Sequence, residues 1–276
     1  MVESSTGIKK TVIYTLIILG VIVSLFPFYW MFIGATNSSA DIFAFPPRML
    51  PGDYFWKNLA ALNQQIDLGR VIFNSFYVSL SYTFFVLVLS TITGYAFAKF
   101  KFRGQDYIFG AILLTMMLPA QATMIPLFDI MKSFGWLNSY KAVVIPGIAN
   151  AFGIFLMRQN MKKIPDSLIE AARIDGCGEF TIFYKIVLPT MKPAIAALGI
   201  YMFMGQWGNF MWQLIVLNDA SMKTLPVALS SLVGLSRVDY GQVFLGASLS
   251  TLPVIAIFLL LQKQFISGIL GGAVKE

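Results

Sequence analysis

RQNMKKIPDSLIEAARIDGCGEFTIFYKIVLP, residues 158–189, is the one long charged segment set between runs that carry no charge at all. Its local signals describe two short helices with a turn between them. Pro165 suits a helix start, while Ser167 and Glu170 stand at capping-box spacing, so two start signals compete. Gly176 lacks a Cβ and is placed to take the left-handed conformation that ends a helix. A second helix is expected from Glu179 to Val187, with Leu188 and Pro189 leading onward. Leu168, Ala171 and Ala172 are expected to share one face, small enough for another protein to approach closely.

The runs on either side fix the class. Upstream lie 16 uncharged residues between Lys141 and Arg158, and downstream 26 between Lys192 and Asp219. Four more such runs follow the chain: 30 residues between Lys10 and Asp41, 28 between Arg70 and Lys99, 22 between Asp106 and Asp129, and 23 between Asp239 and Lys263. An ionisable group at a bilayer centre costs about 2.5 to 3.5 kcal/mol, and a spanning helix needs about 20 apolar residues. Helix satisfies its own backbone hydrogen bonds in lipid, so the runs predict an all-α integral membrane protein with six transmembrane helices, near 11–33, 74–97, 107–128, 142–157, 193–217 and 243–261. The fourth run rises only about 24 Å, so Lys141 and Arg158 are expected to snorkel to the two interfaces. With 57% hydrophobic and 12% charged residues, no stretch is left for a separate soluble domain. Residues 1–276 are therefore read as one membrane domain, with 159–192 as its inner loop.

Lys and Arg accumulate on the cytoplasmic side. Six spans with the amino terminus inside place 13 of them on inner segments and 7 outside. Omitting the fourth span and inverting the chain gives the same division, but it exports Lys9, Lys10 and the cluster Lys99, Lys101 and Arg103. Six spans, with both termini cytoplasmic, is the preferred reading. The first apolar run is longer than a cleaved signal peptide needs. The net charge of +7 is explained by inner loops facing anionic lipid, which makes nucleic acid an unneeded partner. Cys177 is the only cysteine, which rules out an intrachain disulfide.

Absent residues exclude much chemistry. The chain contains no histidine, and no Cys or carboxylate cluster falls within a span, so neither a metal centre nor an enzyme active site is expected. The six runs hold no ionisable residue of the kind that ion-coupled carriers place inside their bundles. No G-x-x-x-x-G-K-[ST] occurs, so nucleotide has to be bound by another polypeptide.

Glu170-Ala171-Ala172, Gly176 three residues on, and Ile186-x-Leu188-Pro189 after nine more resemble the EAA loop of binding-protein-dependent ABC importer permeases. Further runs are similar to the maltose-type carbohydrate branch: Leu118-Pro119-Ala120-Gln121 with Pro126, Gly135 to Tyr140, Gly153 to Gln159, Ala171 to Gly176, Leu214 to Asn218, Lys223 to Val227, and Gly272 to Lys275. Two departures stand out. Trp207-Gly208-Asn209-Phe210 lacks the acidic residue common there, and Glu276 replaces a usual terminal Gly.

The resemblance implies the six-helix ABC importer permease fold in a bacterial cytoplasmic membrane, with a cytoplasmic coupling helix. That helix would dock on a dimer of ATP-binding subunits through Glu170, Ala171, Ala172, Asp175, Gly176, Ile186, Leu188 and Pro189. ATP and Mg would be bound by those subunits and no cofactor by this chain. A second, homologous permease subunit and an extracytoplasmic solute-binding protein would complete the importer. The implied cargo is a carbohydrate, a di- or oligosaccharide, moved by alternating access. A polyol, glycerol phosphate or amino acid is the alternative cargo, and a secondary carrier ranks lower.

Sugars offer hydroxyls to bond and flat faces to stack on rings. The candidates on a substrate path are Gln121, Asn150, Gln206, Trp207, Asn209, Trp212 and Gln213. Buried amides also tie helices together and interfacial tryptophans also anchor in membranes, so both readings stand at this point.

Overall fold

The computed structural model describes residues 3–234 and 238–270. The Gly272 to Lys275 run, Glu276 and the carboxyl terminus lie outside the described residues. All regular structure among the described residues is helical. In chain order the helices are α1 (Glu3–Ala35), α2 (Ser39–Ile42), α3 (Phe55–Gln65), α4 (Leu68–Lys99), α5 (Gln105–Thr115), α6 (Ala120–Ser133), α7 (Tyr140–Val144), α8 (Ala151–Met161), α9 (Asp166–Ile174), α10 (Glu179–Ile182), α11 (Leu188–Thr190), α12 (Lys192–Trp207), α13 (Met211–Val216), α14 (Leu225–Val233) and α15 (Tyr240–Leu270).

Three of the expected spans are single helices long and apolar enough to cross a bilayer, over Lys9–Ala35, Leu68–Lys99 and Tyr240–Gln262. The other three are bent pairs: α5 with α6 at 99°, Tyr140–Gly147 with α8 at 40°, and Glu179–Thr190 with α12 at 75°. Counting each pair once gives six. The runs 107–128 and 142–157 read as unbroken helices but are broken within, whereas the third pair bends at Met191, so its first arm falls in the expected inner loop 159–192. Pro119 disfavours helical geometry at Leu118 and becomes the cap of α6. Asn150 leaves helical geometry to cap α8, its Oδ1 accepting from the Gly153 N–H at 2.9 Å. The run 193–217 ends its long helix at Trp207 and resumes as the separate α13.

By their contacts the residues form two compact units, 1–68 with 229–253, and 69–228 with 254–276. In the first, Ala35, Leu62, Leu68, Leu232 and Leu245 are buried together. The buried Asn58 amide donates to the carbonyls of Ala35 (2.9 Å) and Asn37 (3.0 Å), which α1 leaves without intrahelical partners.

The second unit packs around Val86, Met157, Met161, Ile182 and Leu198. Here α4 and α8 approach so closely that a Cβ on Gly94 would stand 2.6 Å from the Met157 Cβ and 2.9 Å from the Arg158 backbone nitrogen. Arg158 is covered by its own chain, with its guanidinium 3.9 Å from the exposed Asp106 carboxylate. Arg158 is 8% exposed, its Nε donates to the Phe97 carbonyl at 3.2 Å, and its guanidinium lies 3.8 Å from the centre of the Phe109 ring. A carbonyl in the last turn of α4, which has no partner within its helix, and an aromatic face hold the stem of the cation.

Gly94→Val is expected to destabilise the protein by about 1 to 3 kcal/mol, because backbone at Arg158 has no means of yielding. Gly110, around which a Cβ would meet nothing within 4 Å, serves as the control. Thermal unfolding in detergent should show a lowered midpoint for Gly94→Val and an unchanged one for Gly110→Val.

Candidate functional site

The loop helix α9 begins at Asp166, directly after Pro165, with no side-chain cap bond. The proline signal therefore prevails over the Ser167–Glu170 box. At the other end Gly176 adopts φ +80°, as a left-handed stop requires. The amides of Gly176 and Cys177 turn back to the carbonyls of Arg173 (3.1 Å) and Ala172 (3.0 Å), and Asp175 occupies the cap position.

The two faces of α9 differ. Ile169 and Ala172, three apart, are buried with Met161 and Ile182. Leu168, Ala171 and Ile174, also three apart, form an outward row, with Leu168 44% and Ile174 87% exposed. Glu170 is exposed beside them. The expected grouping of Ala172 with Leu168 and Ala171 is thus corrected: the helical repeat turns Ala172 into the chain's own core, and Ala171 is the small residue presented outside.

The following segment is not one α-helix to Val187. α10 widens into a π-turn over Phe183–Val187 and then tightens as α11. Pro189 has no N–H for the Lys185 carbonyl and its ring crowds that carbonyl, so a wider turn relieves both. Ile186 and Leu188 are half-buried and Pro189 is exposed.

Two ion pairs hold α9. The Lys99 ammonium, 3% exposed, donates to Asp166 Oδ1 at 2.6 Å and to the Ile164 carbonyl at 2.5 Å. At the other end Arg173 Nε meets Glu179 Oε1 at 2.6 Å, and the Tyr95 hydroxyl donates to Glu179 Oε2 at 3.4 Å. The Lys99 ammonium beside it holds the Asp166 carboxyl below the usual aspartate range, chiefly through the hydrogen bond and then through its charge. Sequence reasoning missed Tyr95 and Lys99. Arg173 and Glu179, opposite in sign across the Gly176 turn, were the one part of this set with a local signal.

The substrate-path candidates are only partly brought together. Gln206, Trp207, Asn209, Trp212 and Gln213 cluster where α12 gives way to α13. Trp207 is buried with its ring stacked on Phe203 (5.7 Å between centroids) and tilted against Phe76 (4.8 Å). Trp212 donates from Nε1 to the Ala142 carbonyl at 3.0 Å. Gln213, 1% exposed, accepts from the Thr224 hydroxyl and donates to the Gln206 carbonyl at 3.3 Å. Asn209 is half-exposed and reaches Gln206 Oε1 at 3.5 Å. Asn150 is engaged as a cap, and Gln121 lies exposed on α6.

Several motif runs meet beside this cluster. Asn138, at φ +56°, accepts on Oδ1 from the amides of Asn218 (3.2 Å) and Asp219 (2.9 Å). Asn74 donates to the carbonyls of Ser221 and Lys223, each at 2.9 Å. Among the described residues no group of three or more His, Cys, Asp or Glu is placed to hold a metal.

Up to six apolar helical spans and a charged loop helix held to its own chain define a multi-pass membrane permease subunit. The chain belongs to the family of binding-protein-dependent transport system inner membrane components, which residues 87–271 match. It is 38% identical to the lactose transport system permease protein LacG of Rhizobium radiobacter, over 94% of each chain. It is 35% identical to the arabinooligosaccharides transport system permease protein AraQ of Bacillus subtilis, over 91% of this chain and 90% of that one. It is 32% identical to the sn-glycerol-3-phosphate transport system permease protein UgpE of Yersinia enterocolitica, over 98% of both. A crystal structure of a bacterial ABC transporter involved in importing the acidic polysaccharide alginate contains a chain that superposes with a TM-score of 0.78 at 26% identity, covering 95% of this chain and 98% of that chain. The protein therefore has the ABC importer permease fold and is the membrane-spanning permease subunit of such an importer. Its family implies a partner ATPase, a solute-binding protein and a second permease chain.

Because the folded-state pKa of Asp166 is lowered, its tie to Lys99 is complete above the ordinary aspartate pKa and is lost only as pH falls through the lowered value. Hydrogen exchange of the 166–174 amides, corrected for intrinsic rates, should stay level from about pH 8 to about pH 5 and rise only in stronger acid. Asp166→Asn should exchange faster already at neutral pH. A rise centred near pH 6 would show that some other group holds the helix.

Proposed function

We propose that this chain carries a di- or oligosaccharide across a bacterial cytoplasmic membrane by alternating access, driven by an ATPase dimer that grips α9. The observation carrying this reading is the outward row Leu168, Ala171 and Ile174, on a helix whose other face is already buried. An exposed apolar row beside Glu170 and Asp175 suits a groove on a second protein. In this reading the loop 159–192 and both termini lie in the cytoplasm, and 1–276 acts as one membrane domain. ATP and Mg stay on the ATPase subunits, and a solute-binding protein delivers cargo from outside.

The carbohydrate assignment draws on the lactose and arabinooligosaccharide permeases among the relatives, together with the ring-rich cluster around Trp207 and Trp212. The glycerol-phosphate permeases at 31 and 32% identity favour a second reading, in which the cargo is a phosphorylated polyol. Gln121, Asn150, Gln206, Trp207, Asn209, Trp212 and Gln213 remain the proposed path residues. Those of them engaged within the chain would shape the path more than bind the solute.

Ala171→Cys should crosslink to the ATPase subunit in inside-out vesicles, whereas Ala172→Cys should not, since Ala172 is turned inward. Gly176→Pro is expected to keep membrane insertion but to cut uptake per ATP about tenfold or more, because proline cannot adopt the φ of +80° found there. In reconstituted vesicles, uptake of lactose or an arabinooligosaccharide that excess sn-glycerol 3-phosphate fails to inhibit would support a sugar cargo. Strong inhibition would favour the phosphorylated polyol, and normal uptake by Gly176→Pro would sink the coupling role.

A further inference from the structure

We propose that Tyr95 and Lys99, one turn apart at the end of α4, are positioning residues through which movement of α9 enters the helical bundle. The inference rests on the docking of α9 proposed above, and it concerns where the motion goes next. α9 is joined to the rest of the protein by the chain on either side, by the packing of Ile169 and Ala172 on Met161 and Ile182, and by polar ties to α4. The chain onward, through α10 to α12, is interrupted in its helical hydrogen bonding. Within it lie the π-turn Phe183–Val187, the prolines Pro189 and Pro193, neither of which supplies an N–H, and the 75° bend before α12. In this proposal that route is the one that bends under load.

The polar ties are lateral and run to α4. Asp166 at the front of α9 is tied to Lys99, and Arg173 at the rear is tied through Glu179 to Tyr95. Both receiving side chains are buried. Lys99 also bonds the Ile164 carbonyl, and Tyr95 packs on Phe183 (5.1 Å) and edge-on to Phe100 (5.5 Å). α4 is an unbroken helix of 32 residues without proline, and it meets α8 backbone to backbone at Gly94. In this proposal a displacement of α9, held at both ends, is delivered to α4 and by α4 to α8, which it approaches closely at Gly94. The span continuing from the loop is free to bend in response.

The test uses proteoliposomes containing this chain with its second permease, ATPase dimer and binding protein. The variants are Arg173→Glu, Glu179→Arg and the two together, chosen because this pair is half-exposed. Two quantities are read: solute carried per ATP hydrolysed, and crosslink yield from Ala171→Cys to the ATPase. Each single reversal should lower solute per ATP about tenfold while leaving the crosslink intact, and the exchanged pair should recover most of the loss. Tyr95→Phe, which keeps the ring and removes the hydroxyl, should show a smaller loss of the same kind. Unchanged solute per ATP in the reversals, with the crosslink retained, overturns the proposal alone. Reversals that abolish the crosslink, or a defect that the exchange leaves unrepaired, also overturn it, because they assign the pair to holding the loop's shape. Absence of the crosslink in the otherwise unaltered chain overturns the docking reading and this inference with it.

Discussion

A peptide group that enters hydrocarbon has no water to bond, so each N–H and C=O must find its partner inside the protein. That constraint decides where the few polar side chains of this chain are found. Arg158 and Gln105 both donate to the Phe97 carbonyl at the end of α4, at 3.2 and 2.8 Å. Asn58 serves the carbonyls beyond α1, Asn150 opens α8, and Asn138 and Asn74 hold the turns that lead to α14. An unsatisfied buried group of this kind costs about 1 to 3 kcal/mol, which is more than most surface contacts contribute. The amide side chains named here therefore serve helix ends and turns, while the small hydroxyls Ser79, Thr83, Ser90 and Thr91 lie along the interior of α4.

The same constraint explains why bends occur where they do. Pro27, Pro126 and Pro253 sit inside continuous helices, so a missing N–H alone does not break a span. Breaks come where a second feature joins the first. At Pro119 the three preceding amides, Met116 to Leu118, close as tight turns on carbonyls three residues back. At Asn150 the side chain replaces a backbone partner, and at 183–193 a π-turn and two prolines act together. All three bent pairs belong to the unit that carries α9, whereas α4 crosses that unit without a break. Stiff and compliant paths thus lie side by side next to the loop helix, and force divides between them according to stiffness.

How much of this was legible in the sequence follows from the range of each interaction. Charge-free runs need only composition, so six apolar segments could be counted. The left-handed stop at Gly176 and the start after Pro165 are set by the nearest residues, and both were readable. The partition of α9 into an inward and an outward row also follows from a repeat of three to four residues. Yet Ala172 was assigned to the wrong row, because periodicity fixes which residues share a face and leaves open which face the rest of the chain will cover. Both rows carry large apolar side chains, so only the packing of Ile169 against Met161 and Ile182 settles which one is covered.

What stayed hidden depends on residues far apart in the chain. Lys99 reads from sequence as one more inner-loop cation, yet it is 3% exposed and bonded to Asp166. Arg158 reads as an interfacial anchor, and its partner among the carbonyls lies 61 residues earlier. Gln213 and Trp212 read as candidates for a sugar, yet Thr224 and the Ala142 carbonyl already occupy their polar groups. In each case the residue type announced a need for a partner, and only tertiary packing chose which partner met it. An apolar protein makes that choice consequential where both partners are buried, as for Gln213 with Thr224: moving one leaves the other without a bond, so the economy that hides such pairs from sequence also locks them in place.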